Sequence, residues 1–314
     1  MTTPTSTPTP TGPLTGLRTS WAVLALALTA QILVVLDISV VNTALPAIGQ
    51  SLRLDGSDLQ WLVTAYLLLS GGGLLLGGRM ADLLPRRRVF LTGMAIFTSA
   101  SLVSGFAGNA AELIAARATQ GVGAALMTPA ALSIVMTTYS GAQRTRGLAL
   151  WGAVGSLGIA AGVLFGGALT TWAGWQLVFW VNVPIGVVAL PVGLKVLPKD
   201  RTVRADRAQF DLPGALTAIG GLAAVMYGLA STSAHGVLSV RALTAFAAAA
   251  VLLAGFVRIE RHAARPLVPP HTWKVTTLVS GTTGLAHWTP NRFAGLRASV
   301  TSVADCSTAS PMVR

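Results

Sequence analysis

Leu113-Ile-Ala-Ala-Arg117-Ala-Thr-Gln120-Gly121-Val-Gly123-Ala-Ala125 is the stretch that decides how the chain is read. It lies in an apolar run that starts after Glu112 and reaches about Met136. A helix needs about 20 such residues to cross a bilayer. Arg117 is the one charge in the run. A charge at that depth is costly, so it is rare and usually functional. The glycines and alanines around it permit close helix contact. Two readings stand for Arg117. It is the working group of a transporter, or it sits near enough to the helix start to snorkel to water.

Composition supports a membrane setting. Of 314 residues, 53% are hydrophobic and 10% charged, with a mean hydropathy of +0.66. An ordinary soluble domain carries roughly 25% charged residues. A net charge of +12 would suggest nucleic acid in a soluble protein. Here the basic residues fall mostly between apolar runs, so topology explains them and no nucleic acid is expected. The single Cys306 and four scattered histidines give no disulfide framework, metal site or cofactor site. No nucleophile, acid pair or metal cluster suggests an enzyme.

Eight segments read as spans: 21–47, 59–78, 89–108, 112–137, 147–170, 175–195, 212–231 and 239–258. The fold class expected is an all-α polytopic membrane protein. With the N-terminus inside, sixteen basic residues fall on the cytoplasmic side against two, Arg53 and Arg241, outside. That bias supports a multi-pass cell-membrane protein with a cytoplasmic N-terminus.

Polar residues single out certain spans. Asp37 lies inside the first, in Val-Val-Leu-Asp-Ile-Ser-Val-Val-Asn-Thr-Ala-Leu-Pro. A carboxylate there needs water, a partner or a proton. Asp37 therefore reads as a coupling group or as a structural partner for a donor in the bundle. Asn42 adds polarity on the same span, and Pro46 is expected to mark its outer end. Trp61 and Tyr66 are expected to anchor the outer edge of the second span, and Trp172, Trp175 and Trp180 to form an outer belt on the sixth. Pro184 is expected to kink that span. The fifth span carries Gly152, Gly155, Gly158, Gly162, Gly166 and Gly167. Spacings of three and four place most of them on one stripe, which suits a tight or moving interface. A basic turn with Gly78, Asp82, Arg86 and Arg87 follows the second span, with Asp82 expected near the start of the third helix. Asp211 is a plausible cap, and Pro213 fits the first turn, of the seventh span.

Four motifs together resemble the major facilitator superfamily, in its fourteen-span drug:proton antiporter group. They are Leu36–Pro46; the gating loop Gly78–Arg87, which departs at Leu83 and Pro85; Leu113, Arg117, Gln120, Gly121, Gly123 and Ala125; and Gly158, Gly162, Gly166 and Gly167, with Val163 where proline is usual. The resemblance covers about residues 18–284. It implies a six-helix bundle, at 20–197, and two additional helices, at 211–259, joined by a basic loop at 198–210. The Thr- and Pro-rich residues 1–19 read as a disordered cytoplasmic tail, and the polar residues after Gly281 leave a loop and abortive ninth helix at 260–284 and an irregular tail at 285–314.

The resemblance further implies proton-coupled efflux of a small hydrophobic or cationic compound, including antibiotics. Asp37 and Arg117 would serve proton coupling, and Asn42, Gln120, Gly121 and the glycine stripe would serve the pathway or its packing. Gly78, Asp82, Arg86 and Arg87 would form a cytoplasmic gate. Protons, the lipid bilayer and a missing C-terminal half are the partners implied. The change of character near Gly284 resembles a frameshifted or early-ended reading frame, so a truncated fragment without its own transport activity is the alternative. The stripe is expected to pack against a helix of that other half.

Overall fold

The computed structural model describes residues 15–197, 212–236 and 239–262. The expectations for the N-terminal tail before residue 15, Asp211, the ninth segment and the C-terminal tail lie outside the described residues. The described secondary structure is helical throughout: α1 (Thr15–Leu52), α2 (Gly56–Leu83), α3 (Arg86–Ser104), α4 (Ala110–Thr138), α5 (Gly141–Ala173), α6 (Gln176–Trp180), α7 (Asn182–Val196), α8 (Leu212–His235) and α9 (Val240–His262).

Local chemistry sets several of the helix starts. The Asp55 carboxylate accepts from the Asp58 N–H at 2.8 Å and caps α2. Asn109 accepts from the Glu112 N–H at 3.0 Å and caps α4, while Glu112 Oε2 accepts from the Gly108 N–H at 2.8 Å. This pair is a variant of the capping box, shifted by one residue. Pro213 falls in the first turn of α8, where its missing N–H costs nothing. Gly174, at φ +85°, ends α5 in a conformation that other residues rarely adopt.

By length and composition, five of the described segments can cross a membrane: Trp21–Leu52, Ala110–Thr138, Gly141–Trp172, Gln176–Val196 and Val240–Arg261. A sixth, α2, qualifies if its two pieces count as one span. They meet at a 43° bend after Leu74, beside the glycine run that suits bending. The other two expected spans are weaker. α3 has 19 residues, begins with three arginines and carries Thr92, Thr98, Ser99, Ser101 and Ser104. The apolar part of α8 is only Leu216–Leu229.

Three sequence expectations about this scaffold are corrected. Pro46 does not end the first span, because α1 runs on to Leu52 with Pro46 inside it. Asp82 belongs to the last turn of α2, not to the third helix. The glycine stripe of α5 packs on α1 of the same bundle, not on a helix of another half. A Cβ at Gly158 would meet Val35, one at Gly162 would meet Ser39, and one at Gly166 would meet Thr43. The partner is local because α1 presents Gln31, Val35, Ser39 and Thr43 at intervals of four, a row of its own that fits the stripe. Gly167 and Gly152 lie off this contact, with open space beside them.

α4 is the axis of the packing. Its Gly121 faces α2, where a Cβ would lie 2.7 Å from the Tyr66 carbonyl oxygen. Gly123 faces α3, where a Cβ would lie 2.6 Å from the Phe97 nitrogen. The neighbours answer with glycines of their own, Gly73 and Gly77 on α2 against Ala125 and Gly93 on α3 against Gly123 and Met127. Small residues on both sides bring the backbones together. α8 pairs with α9 and also lies along α2, where Gly72 meets Ile219 and Trp61 meets Tyr227 with ring centroids 6.1 Å apart.

These contacts give a stability prediction. Gly123→Ala forces backbone against backbone and is expected to cost roughly 1–3 kcal/mol. Gly71→Ala meets nothing within 4 Å and is expected to be neutral or slightly stabilising, since alanine favours helix. Thermal unfolding of the protein in nanodiscs compares the two; equal melting temperatures would contradict the packing. At the exposed cap, the Asp58 N–H and the Ser57 hydroxyl hold the Asp55 carboxyl below its ordinary value of 3.8. Its folded-state pKa is depressed, so its stabilisation is complete above that value and fades as pH falls through the folded pKa. Asp55→Ala should remove that part of the acid sensitivity of unfolding.

Candidate functional site

Five buried polar side chains meet inside the bundle, contributed by four helices. Asp37 comes from α1, Ser101 from α3, Arg117 and Gln120 from α4 and Asn182 from α7. Asp37, Ser101, Gln120 and Asn182 are 0% exposed and Arg117 is 1% exposed. Arg117 Nη1 donates to Asp37 Oδ2 at 2.6 Å and to Gln120 Oε1 at 2.8 Å. Gln120 Nε2 donates to Asp37 Oδ1 at 2.7 Å and to Ser101 Oγ at 2.6 Å. Asn182 Nδ2 donates to Asp37 Oδ1 at 3.1 Å, with Ser101 Oγ at 3.5 Å. Arg117 Nε also reaches the Leu62 carbonyl of α2 at 3.5 Å.

Burial and pairing exclude the snorkelling reading of Arg117. Its guanidinium carbon lies 4.1 Å from the centroid of the Tyr66 ring and 5.9 Å from that of Phe179. Both rings present their π systems to a desolvated cation, the setting in which such contacts are strongest. A lone buried charge would be untenable, but the pair carries opposite charges and each partner has further hydrogen bonds. Asp37 receives donors from Arg117, Gln120 and Asn182, so three separate side chains converge on one carboxylate.

The helical spacing explains part of this assembly. Arg117 and Gln120 are three residues apart and share a face of α4. The next residue, Gly121, lets α2 close over that face. The α6–α7 junction explains the rest. Pro184 cannot donate to the Trp180 carbonyl, so one helical hydrogen bond is missing there, yet Val181 keeps helical dihedrals (φ −60°, ψ −27°) and its N–H donates to the Leu177 carbonyl. The expected kink is thus only a weakened turn within the span Gln176–Val196, whose helical course sets the Asn182 amide against Asp37.

Three of these contributors were not anticipated as site residues. Asn182 had a usable signal, a polar residue in an apolar span two positions before a proline. Ser101 had none beyond being one of several hydroxyls in α3. Tyr66 was expected at the outer edge, but it is fully buried over Arg117. Trp175, expected in the outer belt, is likewise buried, beside Phe179 at 6.1 Å between ring centroids; Trp172 is exposed.

Other expected site residues lie apart from this cluster. Asn42 is exposed and its Nδ2 donates to the Ile38 carbonyl at 2.8 Å. Gly78, Asp82, Arg86 and Arg87 lie around the α2–α3 turn, away from Asp37. Asp82 is exposed and pairs with no arginine of that turn among the described residues. Arg87 donates to the Leu194 carbonyl, tying the start of α3 to the last turn of α7.

A bundle of apolar helices sealed around a buried ion pair defines an all-α polytopic membrane protein. Residues 27–257 match the family model of the Major Facilitator Superfamily, and the chain belongs to that family. It is 42% identical over 262 residues to the cephamycin export protein CmcT of Amycolatopsis lactamdurans, covering 83% of this chain and 54% of that one. It is 42% identical over 254 residues to the puromycin resistance protein pur8 of Streptomyces alboniger, covering 80% of this chain and 49% of that one. The fold resembles a peptide transporter solved in complex with sulfate, with a TM-score of 0.56, 17% identity and coverage of 78% of this chain and 53% of that one. The chain spans about half the length of the curated relatives it matches.

The ion pair gives a coupling prediction. Arg117→Met leaves Asp37 buried without its cation and is expected to cost roughly 3–5 kcal/mol. Asp37→Asn in the same protein removes the orphaned charge and is expected to recover part of that loss. Thermal unfolding of the two single variants and the double variant measures the interaction. Additive losses would show that the pair is not coupled.

Proposed function

We propose that this chain supplies the first half of a proton-coupled exporter of small hydrophobic or cationic compounds, antibiotics among them. The observation that carries the reading is the buried Asp37–Arg117 pair with its converging donors. The relatives named as antibiotic export and resistance proteins support the direction and the substrate class.

The energetics suit a switch. A proton on Asp37 cancels its charge and leaves Arg117 buried with only neutral neighbours: Gln120, the Leu62 carbonyl and the Tyr66 and Phe179 rings. Breaking such a pair costs roughly 3–5 kcal/mol. Moving a two-state protein from one side of its equilibrium to the other takes about 5.5 kcal/mol. Loss of the pair therefore approaches the scale needed to bias the bundle toward a second arrangement. In that arrangement the guanidinium gains water or an anionic partner. Rocking of two bundles around a midplane site would carry the substrate across.

The remaining assignments belong to the same proposal. The N-terminus is cytoplasmic in the cell membrane, as the basic residues favour. Gly78, Asp82, Arg86 and Arg87 contribute to a cytoplasmic gate whose partner lies on a second bundle of similar size. Asn42, on the exposed side of α1 and five residues from Asp37, faces the substrate pathway. α8 and α9 serve as scaffold.

Membrane vesicles with an imposed pH gradient test the reading. The protein is tested alone and with the second half of a related exporter supplied in trans. Substrate-dependent proton flux is expected when both halves are present. Asp37→Asn should abolish it while expression is retained. Arg117→Lys keeps the charge but loses the planar fork, and a partial loss is expected. Undiminished proton-linked flux in Asp37→Asn would sink the assignment.

A further inference from the structure

The hydrogen-bond pattern around Asp37 raises a question that the ion pair alone does not answer. A protonated carboxyl group gains an O–H donor, and in a dry bundle that donor needs an acceptor. The groups already placed against Asp37 are nearly all donors. Arg117 Nη1 faces Oδ2 and has no acceptor to offer. Gln120 Nε2 faces Oδ1, and its orientation is pinned because Gln120 Oε1 accepts from Arg117. Turning the Gln120 amide would place its oxygen against the carboxylate and its NH2 against a guanidinium, losing both contacts.

Asn182 differs. Its Nδ2 donates to Asp37 Oδ1, but its own Oδ1 is buried and has no hydrogen-bond partner. Only its nitrogen holds that amide in place; its oxygen, unlike that of Gln120, is anchored to nothing. A half-turn about the terminal side-chain bond exchanges its NH2 and oxygen. The oxygen then faces Asp37 Oδ1 at the former donor position, with Ser101 Oγ at the edge of hydrogen-bond reach. In that orientation Asn182 accepts from a protonated Asp37, and the Ser101 hydroxyl is free to donate to it.

Arg117 from α4 and Tyr66 from α2 are the titratable groups around Asp37 among the described residues, and α3 and α7 add only the neutral Ser101 and Asn182. We propose that Asn182 is the positioning residue that accommodates both protonation states of Asp37: its amide donates to the carboxylate and, turned, accepts from the carboxylic acid. This rests on the proposed proton-coupling role of Asp37. The chemical step is proton transfer from a hydronium ion to Asp37 Oδ1: the hydronium O–H bond breaks, its electron pair stays on the departing water, the Asp37 O–H bond forms, and release is the reverse. The location matters, because Asn182 lies two residues before Pro184, whose missing N–H leaves the Trp180 carbonyl without its helical donor. The event is therefore felt at a weakened turn of the span.

The test uses the whole chain in nanodiscs and two spectroscopic signals followed against pH. Infrared difference spectra report the carboxylic acid band of Asp37, assigned by its loss in Asp37→Asn. Nuclear magnetic resonance with asparagine labelled at the side-chain nitrogen reports the amides of the four asparagines. Asn182 is assigned from its absence in Asn182→Ser. If that variant does not fold, the signal that moves in Asp37→Asn supplies the assignment. The expected result is a shift of the Asn182 amide signal with the same midpoint as the Asp37 acid band, absent in Asp37→Asn. A structural role alone would not make that signal titrate. An Asp37 acid band that appears while the Asn182 signal stays flat overturns the proposal and leaves the coupling role of Asp37 standing. If no Asp37 acid band appears at any pH, the coupling role fails and the proposal fails with it.

Discussion

A guanidinium and a carboxylate sealed inside a helical bundle impose a strict condition on everything around them. Each charge leaves water at a penalty of several kcal/mol, and attraction compensates only when the geometry is good and the remaining hydrogen-bonding positions are filled. Asp37 and Arg117 meet that condition through four other groups: the Gln120 amide, the Asn182 amide, the Leu62 carbonyl and the Tyr66 ring. These come from α4, α7 and α2, with Ser101 of α3 behind the amides. A shift of any one of these helices disturbs the environment of the pair. The pair thus acts as a registry device for the bundle as well as a store of charge.

Close packing keeps that device dry. Gly121 follows Gln120 directly and lets α2 lie against α4, which brings the Tyr66 ring and the Leu62 carbonyl to Arg117. Gly123, on the opposite side of α4, lets α3 approach closely enough for Ser101 to reach Gln120. The small residues and the charged residues of Leu113–Ala125 are therefore parts of one construction. A bulkier residue at either glycine would separate a helix from the network that depends on it. On α5 the same principle serves α1, whose row of Val35, Ser39 and Thr43 fits the stripe on one side while Asp37 faces the network on another.

Residues that contrast with their surroundings were legible in the sequence. Asp37 and Arg117 stood out because charges are rare in apolar runs, and Gln120 entered through the fourth-helix motif of the family resemblance. The class of fold was legible from apolar runs separated by basic turns. Residues defined by a neighbour distant in the chain were not. Tyr66 has the look of an interfacial anchor, since an aromatic near a span end reads the same whether it faces headgroups or a buried cation. Ser101 is one hydroxyl among five in α3. The α5 glycines announced a close contact but not its partner. The matching row on α1 is visible only when two helices are compared side by side. Pro46 misled for a related reason: a proline inside a membrane helix is tolerated when neighbours compensate for the lost bond, and local sequence does not reveal that compensation.

The α6–α7 junction shows how a defect and a functional group can be one feature. Pro184 removes the donor that would have bonded the Trp180 carbonyl, so the helix is weakest at that turn. That turn faces inward, with Phe179 and Asn182 both fully buried beside it. Val181 keeps helical dihedrals, so the helix carries Asn182 to Asp37 through the weakened turn. The amide donates there and keeps its own oxygen without a partner. Among the amides that donate to Asp37, Asn182 is the one whose oxygen is uncommitted, since Gln120 Oε1 accepts from Arg117.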